Sequence, residues 1–349
     1  MARFDSVRML LEAAVAEHVT PAAVIEVGRA SQPVWREAVG RLTYEADAPA
    51  ASADTIFDLA SLTKVLATAT LLMTQVERGR VALDDEVVQH LLGCTLPRGP
   101  VTVEDLLAHC SGLPAHRPFY RTLRGRVDFE AAICATPLEY APRTQSVYSD
   151  LGFMLLGFLL EDITPLPEAF AALWTAIGAG EDLQFHPPEQ WTRRIAPTEA
   201  DPWRGRVLRG EVHDENAWAL GGAAGHAGLF GTAAAVGVFA RHLLQILDGR
   251  VGFARRETLA AFVTRHGGVP GSSRALGWDT MLPTSSCGRL MSPRAFGHTG
   301  FTGTSLWIDP DAGTYVVLLT NRVHPLRAGE GITRLRPAVH DAVVAALTG

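Results

Sequence analysis

The chain has 349 residues, 47% of them hydrophobic, with a net charge of −6 and a sequence pI near 6.1. That length supplies a large core in one domain or two. The acidic balance excludes nucleic acid as a partner, which would call for a basic surface.

Met1 to Glu17 interleaves Arg3, Asp5, Arg8, Glu12 and Glu17 with apolar residues. The stretch lacks the uninterrupted apolar run of a secretory signal. Instead it predicts an amphipathic helix with Phe4, Val7, Leu10, Leu11, Ala14 and Val15 on one face. Two short β runs follow, Ala22 to Val27 and Pro33 to Val39, and a third, Thr55 to Leu59, leads into a helix. From Ser61 onward, Leu62, Val65, Leu66, Ala69, Leu72, Met73 and Val76 recur at helical spacing up to the C-terminal cap Gly79. Thr102 and Asp105 form a capping-box start for a short helix over 103–109, halted at Ser111-Gly112-Leu113-Pro114. Leu151 to Glu161 and Pro167 to Ile177 are further helices, 181–215 reads as surface loops, and a glycine-dense turn over 221–228 precedes a helix over about 232–247. The last quarter returns to β structure at Leu276 to Met281, Ala295 to Gly297, Gly303 to Ile308 and Tyr315 to Thr320. Asp309-Pro310-Asp311-Ala312-Gly313 makes a hairpin turn between the last two, and a helix over 334–347 closes the chain.

The longest apolar run, Leu151 to Leu160, has ten residues, too few to span a bilayer. Cys94, Cys110, Cys134 and Cys287 show no CxxC pairing. With no export signal, they read as reduced, buried thiols of a cytoplasmic protein and not as a zinc site.

Three segments carry chemistry. Ser61-Leu62-Thr63-Lys64 opens a helix, so its i, i+3 spacing puts the serine hydroxyl and the lysine ammonium on one face. A helix N-terminus favours developing negative charge, and the Ser61 N–H is available to an oxyanion. Alone, the pattern also fits an N-cap serine beside a solvated lysine. Tyr148-Ser149-Asp150 before a helix and His298-Thr299-Gly300 at the start of an apolar strand supply the rest. With these, the chain resembles the serine β-lactamase and penicillin-binding-protein superfamily, in particular its class C β-lactamase and family VIII esterase branch. The motifs stand in the family's order, 87 residues from Ser61 to Tyr148 and 150 from Tyr148 to His298. The resemblance extends over nearly the whole chain, through Phe57–Ser61, Gly79–Asp85, Leu106–Pro114 and Ala227–Ala233.

The resemblance implies the β-lactamase-like fold: an α/β domain with a central antiparallel sheet from 1–75 and 235–349, a mainly helical domain from 76–234, and an active site in the cleft between them. It also implies roles. Ser61 is the nucleophile of an acyl-enzyme, Lys64 and Tyr148 handle its proton, and the N–H groups of Ser61 and Phe301 form the oxyanion hole. A cation beside Tyr148 would lower its phenol pKa, making a phenolate base.

Two positions depart from the family pattern. Asp150 replaces the usual asparagine, and its carboxylate would pair with Lys64 and keep it protonated, which shifts the base role to Tyr148. His298, with Thr299 and Gly300, replaces a lysine-led triplet, and a histidine is largely neutral at about pH 7. That substitution favours substrates without a carboxylate at that position. His109 and His116 flank the Ser-Gly-Leu-Pro turn and are expected to line the cleft. His213, Asp214, Glu215, Asn216 and His226 form a polar cluster that reads as a hydrogen-bonded loop on the active-site rim in preference to a metal site.

The expected activity is hydrolysis of carboxylic esters or small amides, with a small-molecule ester, amide or lactam as substrate and no cofactor, metal, nucleic acid or membrane partner. A β-lactamase, a D-Ala-D-Ala-type carboxypeptidase or a D-aminopeptidase acting on cell-wall fragments is the alternative within the enzymes. A non-catalytic binding protein on the same fold is the alternative outside them.

Overall fold

The pleat of a β-strand sends successive side chains to opposite sheet faces, and both faces of the main sheet here are covered by apolar packing. In the computed structural model, which describes residues 3–91, 93–94, 96, 100–178, 180 and 182–349, a helix α1 (Asp5–Ala16) precedes strands β1 (Ala22–Arg29) and β2 (Pro33–Gly40). A short strand β3 (Phe57–Asp58) follows, then a π-helical turn (Lys64–Ala69) running into α2 (Thr70–Glu77). Short helices α3 (Val87–His90) and α4 (Val103–Leu107) lead to α5 (Gly125–Cys134), α6 (Asp150–Glu161) and α7 (Leu166–Ala176). Strands β4 (Leu183–Phe185), β5 (Ala200–Asp201) and β6 (Arg206–Val207) precede α8 (Glu215–Ala219) and β7 (Leu229–Gly231). The chain then continues through α9 (Ala233–Leu247), α10 (Arg256–Val263), β8 (Asp279–Thr280), β9 (Phe296–Thr299), β10 (Ser305–Asp309), β11 (Thr314–Thr320) and α11 (Gly331–Thr348).

The two ends of the chain meet in one six-stranded antiparallel sheet of order β2-β1-β11-β10-β9-β8. Strand β1 pairs with the far β11, Val24 opposite Leu319, and β10 pairs with β9, Leu306 opposite His298. One face of the sheet turns Ala23, Ile25, Val27, Val316 and Leu318 toward α1 and α11. The other turns Ala22, Val24, Val317 and Leu319 toward α9, where Val236, Phe239 and Leu243 meet them. The same apolar cluster continues into α2, α4, α5, α6 and α7, so sheet and helical region share one core. A smaller sheet has the order β3-β7-β4, and its Phe57, Leu183, Phe185 and Leu229 join the same apolar cluster.

Three expectations need correction. The run Leu276 to Met281 is a strand only over Asp279–Thr280, because Gly277 takes a left-handed φ of 87° and donates its N–H to the Leu107 carbonyl (2.9 Å) instead of pairing in the sheet. The stretch 181–215 is not simply surface loop: it carries β4, β5 and β6 and buries Leu183, Phe185, Trp191, Ile195 and Leu208, while helices α5 and α10 have no counterpart in the pattern because their charged residues break the apolar period. Finally, Cys94 and Cys134 are joined in a disulfide across 40 residues and are not reduced thiols. Only Cys110 and Cys287 are free, both buried. Among the described residues, no helix is long and apolar enough to cross a membrane.

Candidate active site

Ser61 owes its position to a strained turn. Strand β3 ends at Asp58, and Ala60 adopts a left-handed φ of 47°, uncommon for a residue with a Cβ. The buried Asp58 carboxylate stabilises this turn by accepting the Ala60 N–H (2.8 Å), while its other oxygen accepts the His213 N–H (2.6 Å). The chain then enters its helix with Ser61 facing a cleft.

The segment after β9 packs directly on this turn. Thr302 and Thr304 hydroxyls donate to the Asp58 and Leu59 carbonyls (2.8 and 3.0 Å). A Cβ on Gly300 would lie 2.1 Å from Thr304 Oγ1 and 2.5 Å from the Leu59 carbonyl oxygen, so glycine is required for this approach. The same contact brings Phe301 beside Ser61 at the mouth of the cleft.

Lys64 is fully buried. Its ammonium donates to Ser61 Oγ (2.9 Å) and to the His226 carbonyl (3.1 Å), and it stands 2.7 Å from Asp150 Oδ1. All six residues of the π-helical turn are buried, which leaves the lysine facing these oxygens and not solvent. Burial pushes the Lys64 pKa down, but Asp150 and Tyr148 together raise it above the ordinary lysine value. Lys64 is therefore an ammonium ion at neutral pH.

Tyr148 precedes α6, whose N-cap is Ser149. Lys64 Nζ lies 4.9 Å and the Arg274 guanidinium 5.2 Å from its ring centroid. Burial raises the phenol pKa by more than Lys64 lowers it, with Asp150 adding to the rise and hydrogen bonds to Lys64 and Ser61 opposing it. The expected phenolate is thus corrected: at rest Tyr148 is a phenol.

His298 is buried and donates its Nδ1–H to the Thr299 carbonyl (2.8 Å), which fixes the tautomer because a carbonyl only accepts. Burial, Arg274 and Lys64 hold its pKa well below the usual histidine value, so it is neutral.

Two lobes open on either side of Ser61, Tyr148 and Phe301. The first, about 330 Å³, is walled by Arg274, Arg322 and Arg336, with Asp279 as the acid among its described lining residues. Arg336, 9% exposed, donates to the Gly300 and Thr304 carbonyls (2.7 and 2.8 Å), and its Nε has no partner. Burial and the neighbouring Arg322 lower its pKa to about 9, so it remains charged. The second lobe, about 280 Å³, is lined by His116, Tyr120, Asp150, Asp214, Glu215 and Arg327.

The polar cluster shapes this second lobe. His226 bonds through Nε2 to Asp214 (2.8 Å) while its carbonyl holds Lys64. Asp214 also N-caps α8 by accepting the Ala217 N–H (2.7 Å). His213 meets Glu199 (2.9 Å) and stacks against Phe301 at 5.7 Å. Asn216 bonds to the Tyr120 N–H and the Arg117 carbonyl, tying the 116–121 loop to α8. Among the described residues, no group of three or more His, Cys, Asp or Glu side chains is arranged to hold a metal.

The structure thus brings Ser61, Lys64, Tyr148, Asp150, His298, Thr299, Gly300 and Phe301 to one cleft, and places His116 on its wall. His109 is different: it lies buried beneath Tyr148 instead of lining the cleft. The three lobe arginines went unnoticed in the sequence. One signal for them existed, since Arg336 sits in the inward stripe of α11 with Ile332, Leu335, Val339 and Val343, where a charge is out of place.

The Beta-lactamase family model matches residues 7–340. A Salmonella typhi protein named "Putative D-alanyl-D-alanine carboxypeptidase" is 32% identical over 315 residues, covering 78% of this chain and 71% of that protein. Among solved structures, the class C β-lactamase from Rhodobacter sphaeroides aligns with a TM-score of 0.76 at 18% identity, over 99% of this chain and 100% of that one. The hydrolase EstCE1, described as having promiscuous acyltransferase activity, aligns with a TM-score of 0.76 at 21% identity, over 97% and 98%. At these identities the two structures speak for the fold alone.

Proposed function

The chain belongs to the Beta-lactamase family and is a serine hydrolase, and we propose that it cleaves esters or amides whose leaving portion carries a carboxylate. The observation that supports this reading is the arginine-walled lobe beside Ser61. Neutral His298 provides no cation for a carboxylate, but Arg274, reached through the Gly277 turn, stands over Tyr148 on the same side of the cleft. The proposal therefore departs from the substrate preference expected from His298 alone. Three guanidiniums against one carboxylate favour an anion, which pairs with them by charge-assisted hydrogen bonds. The C-terminal residue of a D-alanyl-D-alanine peptide is a leaving group of this kind, and the Salmonella relative bears that activity in its name.

In this reading Ser61 Oγ attacks the carbonyl carbon, whose oxygen turns toward the N–H groups of Ser61 and Phe301. Because Lys64 is already protonated, Tyr148 carries the proton. It receives the Ser61 proton on its oxygen while its own phenolic proton passes to the departing nitrogen or oxygen. The Ser61–acyl bond forms, the scissile bond breaks, and the phenol is regenerated. Lys64 stays charged and stabilises the phenolic oxygen through the transfer. Water then follows the reverse route to release the acid. The contacts among Ser61, Lys64 and Tyr148 favour an enzyme over a binding protein on the same fold, since binding alone has no use for this proton path.

An uncharged ester is the second reading, and neutral His298 is what favours it. The Cys94–Cys134 disulfide favours an oxidising compartment over the cytoplasm.

The test compares release of D-alanine from an N-acyl-D-alanyl-D-alanine with hydrolysis of its C-terminal amide and of p-nitrophenyl butyrate. Preference for the free carboxylate supports the proposal. Equal rates on the acid and the amide would refute it and leave the uncharged ester as the substrate class.

A further inference from the structure

We infer that His109 is a positioning residue which fixes Tyr148 against Ser61 and Lys64. The inference rests on the reading of Tyr148 as the proton carrier.

His109 holds the chain on both sides of that tyrosine. Its backbone carbonyl accepts the Val147 N–H (3.0 Å), and its imidazole Nδ1 accepts the Ser149 N–H (3.1 Å). Between these two clamps its ring lies under Tyr148, centroids 4.6 Å apart. The residue is 1% exposed and adopts a left-handed φ of 55°. A non-glycine residue in that region is strained and persists where its surroundings over-determine it.

The imidazole must be neutral to do this. Nδ1 accepts an N–H, so it carries no proton, and the ring hydrogen sits on Nε2. Burial, then Arg274, Lys64 and His298, press its pKa well below the usual histidine value and keep Nδ1 free to accept. A protonated ring would face these two cations and break the Ser149 clamp.

The same loop secures the neighbours of Tyr148. The Pro114 carbonyl accepts the Ser149 hydroxyl (2.6 Å), and the Ala115 carbonyl accepts the Asp150 N–H (2.9 Å). The Leu107 carbonyl accepts the Gly277 N–H, which anchors the turn bearing Arg274. Of these anchors, only His109 contributes a side chain that contacts the ring of Tyr148 itself.

Asn and Ala at this position separate positioning from packing. In His109→Asn the amide oxygen takes the place of Nδ1 as acceptor, and asparagine tolerates the left-handed backbone. His109→Ala keeps the carbonyl clamp but loses the acceptor and the ring. The reads are kcat and KM on p-nitrophenyl butyrate, the pH profile of kcat, and the rate of Ser61 modification by a fluorophosphonate, with Tyr148→Phe in parallel. His109→Ala is expected to lower kcat and the modification rate by up to about 100-fold, the scale of a misplaced catalytic group, with KM little changed. It is also expected to move the alkaline limb of the kcat profile, and His109→Asn to recover most of the rate. A folded His109→Ala with wild-type kcat, or Asn and Ala variants equally slow on an unmoved pH profile, would overturn the inference. If Tyr148→Phe leaves kcat intact, the reading beneath the inference fails instead. Should His109→Ala not fold, His109→Gln makes the same comparison, since its amide extends past the Ser149 N–H and is expected to be slow where Asn is fast.

Discussion

Arg274→Leu tests the proposed substrate class because it removes one cation from the lobe and leaves Ser61, Lys64 and Asp150 in place. Arg274 is half-buried and has no acidic side chain within ion-pair distance among the described residues, so its charge is open to a substrate. A hydrogen bond to a charged group is worth about 1.5–3 kcal/mol net. Because Arg322 and Arg336 remain, the lower half of that range applies, which is about 10–50-fold in kcat/KM. The guanidinium also stands over the Tyr148 ring, and losing a cation–π contact of roughly 0.5–1 kcal/mol costs any substrate about two- to fivefold. The assay uses two thioesters with the same acyl group, one releasing mercaptoacetate and the other its neutral amide, with thiol release as the signal. The account expects the neutral thioester to lose about two- to fivefold and the charged one about 10–50-fold beyond that, with Arg274→Lys restoring part of the difference. Equal losses on both thioesters would mean that Arg274 acts only through Tyr148. No loss on either would mean that the lobe does not hold the leaving group.

Three further expectations follow from named contacts. Asp150→Asn removes the carboxylate that holds Lys64 protonated, so the lysine pKa falls; if the ammonium is the working form, the alkaline limb of the kcat/KM profile moves to lower pH, whereas a lysine base would move the acid limb instead. Gly300→Ala places a Cβ against Thr304 Oγ1 and the Leu59 carbonyl, and should cost about 1–3 kcal/mol in a melting experiment. The same shift of Phe301 should lower kcat by about 100-fold or more, as for loss of an oxyanion donor. Glu199 is buried, and although burial alone would raise its pKa, His213 and Arg327 bring it down to about 2. Its folded-state pKa is depressed, so its contribution is complete above the unfolded value and is lost as pH falls toward about 2. That contribution is on the order of 3 kcal/mol. Glu199→Gln should therefore be less stable at neutral pH and flatter in acid, as read by urea unfolding across pH; a curve parallel to wild type would contradict it.

The parts of the fold that were legible in the sequence are those with a strong local period. Val65, Leu66, Ala69, Leu72 and Met73 mark the helix after Ser61, and Asp309 to Gly313 marks the β10–β11 turn, where the Asp309 carboxylate accepts the N–H groups of Asp311 and Ala312. Their spacing does not reveal that the helix opens with a π-helical turn, because the wider turn depends on tertiary burial of all six residues. The Ser61, Tyr148 and His298 motifs could be read because each is contiguous. The arginine lobe could not: Arg274 precedes the Gly277 turn, Arg322 follows β11, and Arg336 comes from α11, so only folding assembles them. The protonation of Tyr148 is illegible in the sequence for a related reason. A neighbouring cation is visible in sequence, but the burial that outweighs it is not. Cys94 and Cys134 met in the same way, through the packing of α5 and not through any spacing rule.

The most direct test of the account is intact-mass spectrometry after mixing the enzyme with a slowly hydrolysed ester or a penicillin, followed by peptide mapping and a Ser61→Ala control. The account predicts one acyl adduct, located on Ser61 and absent from the Ser61→Ala protein, which also loses turnover. Turnover that survives in Ser61→Ala, or an adduct that maps to another residue, would contradict it.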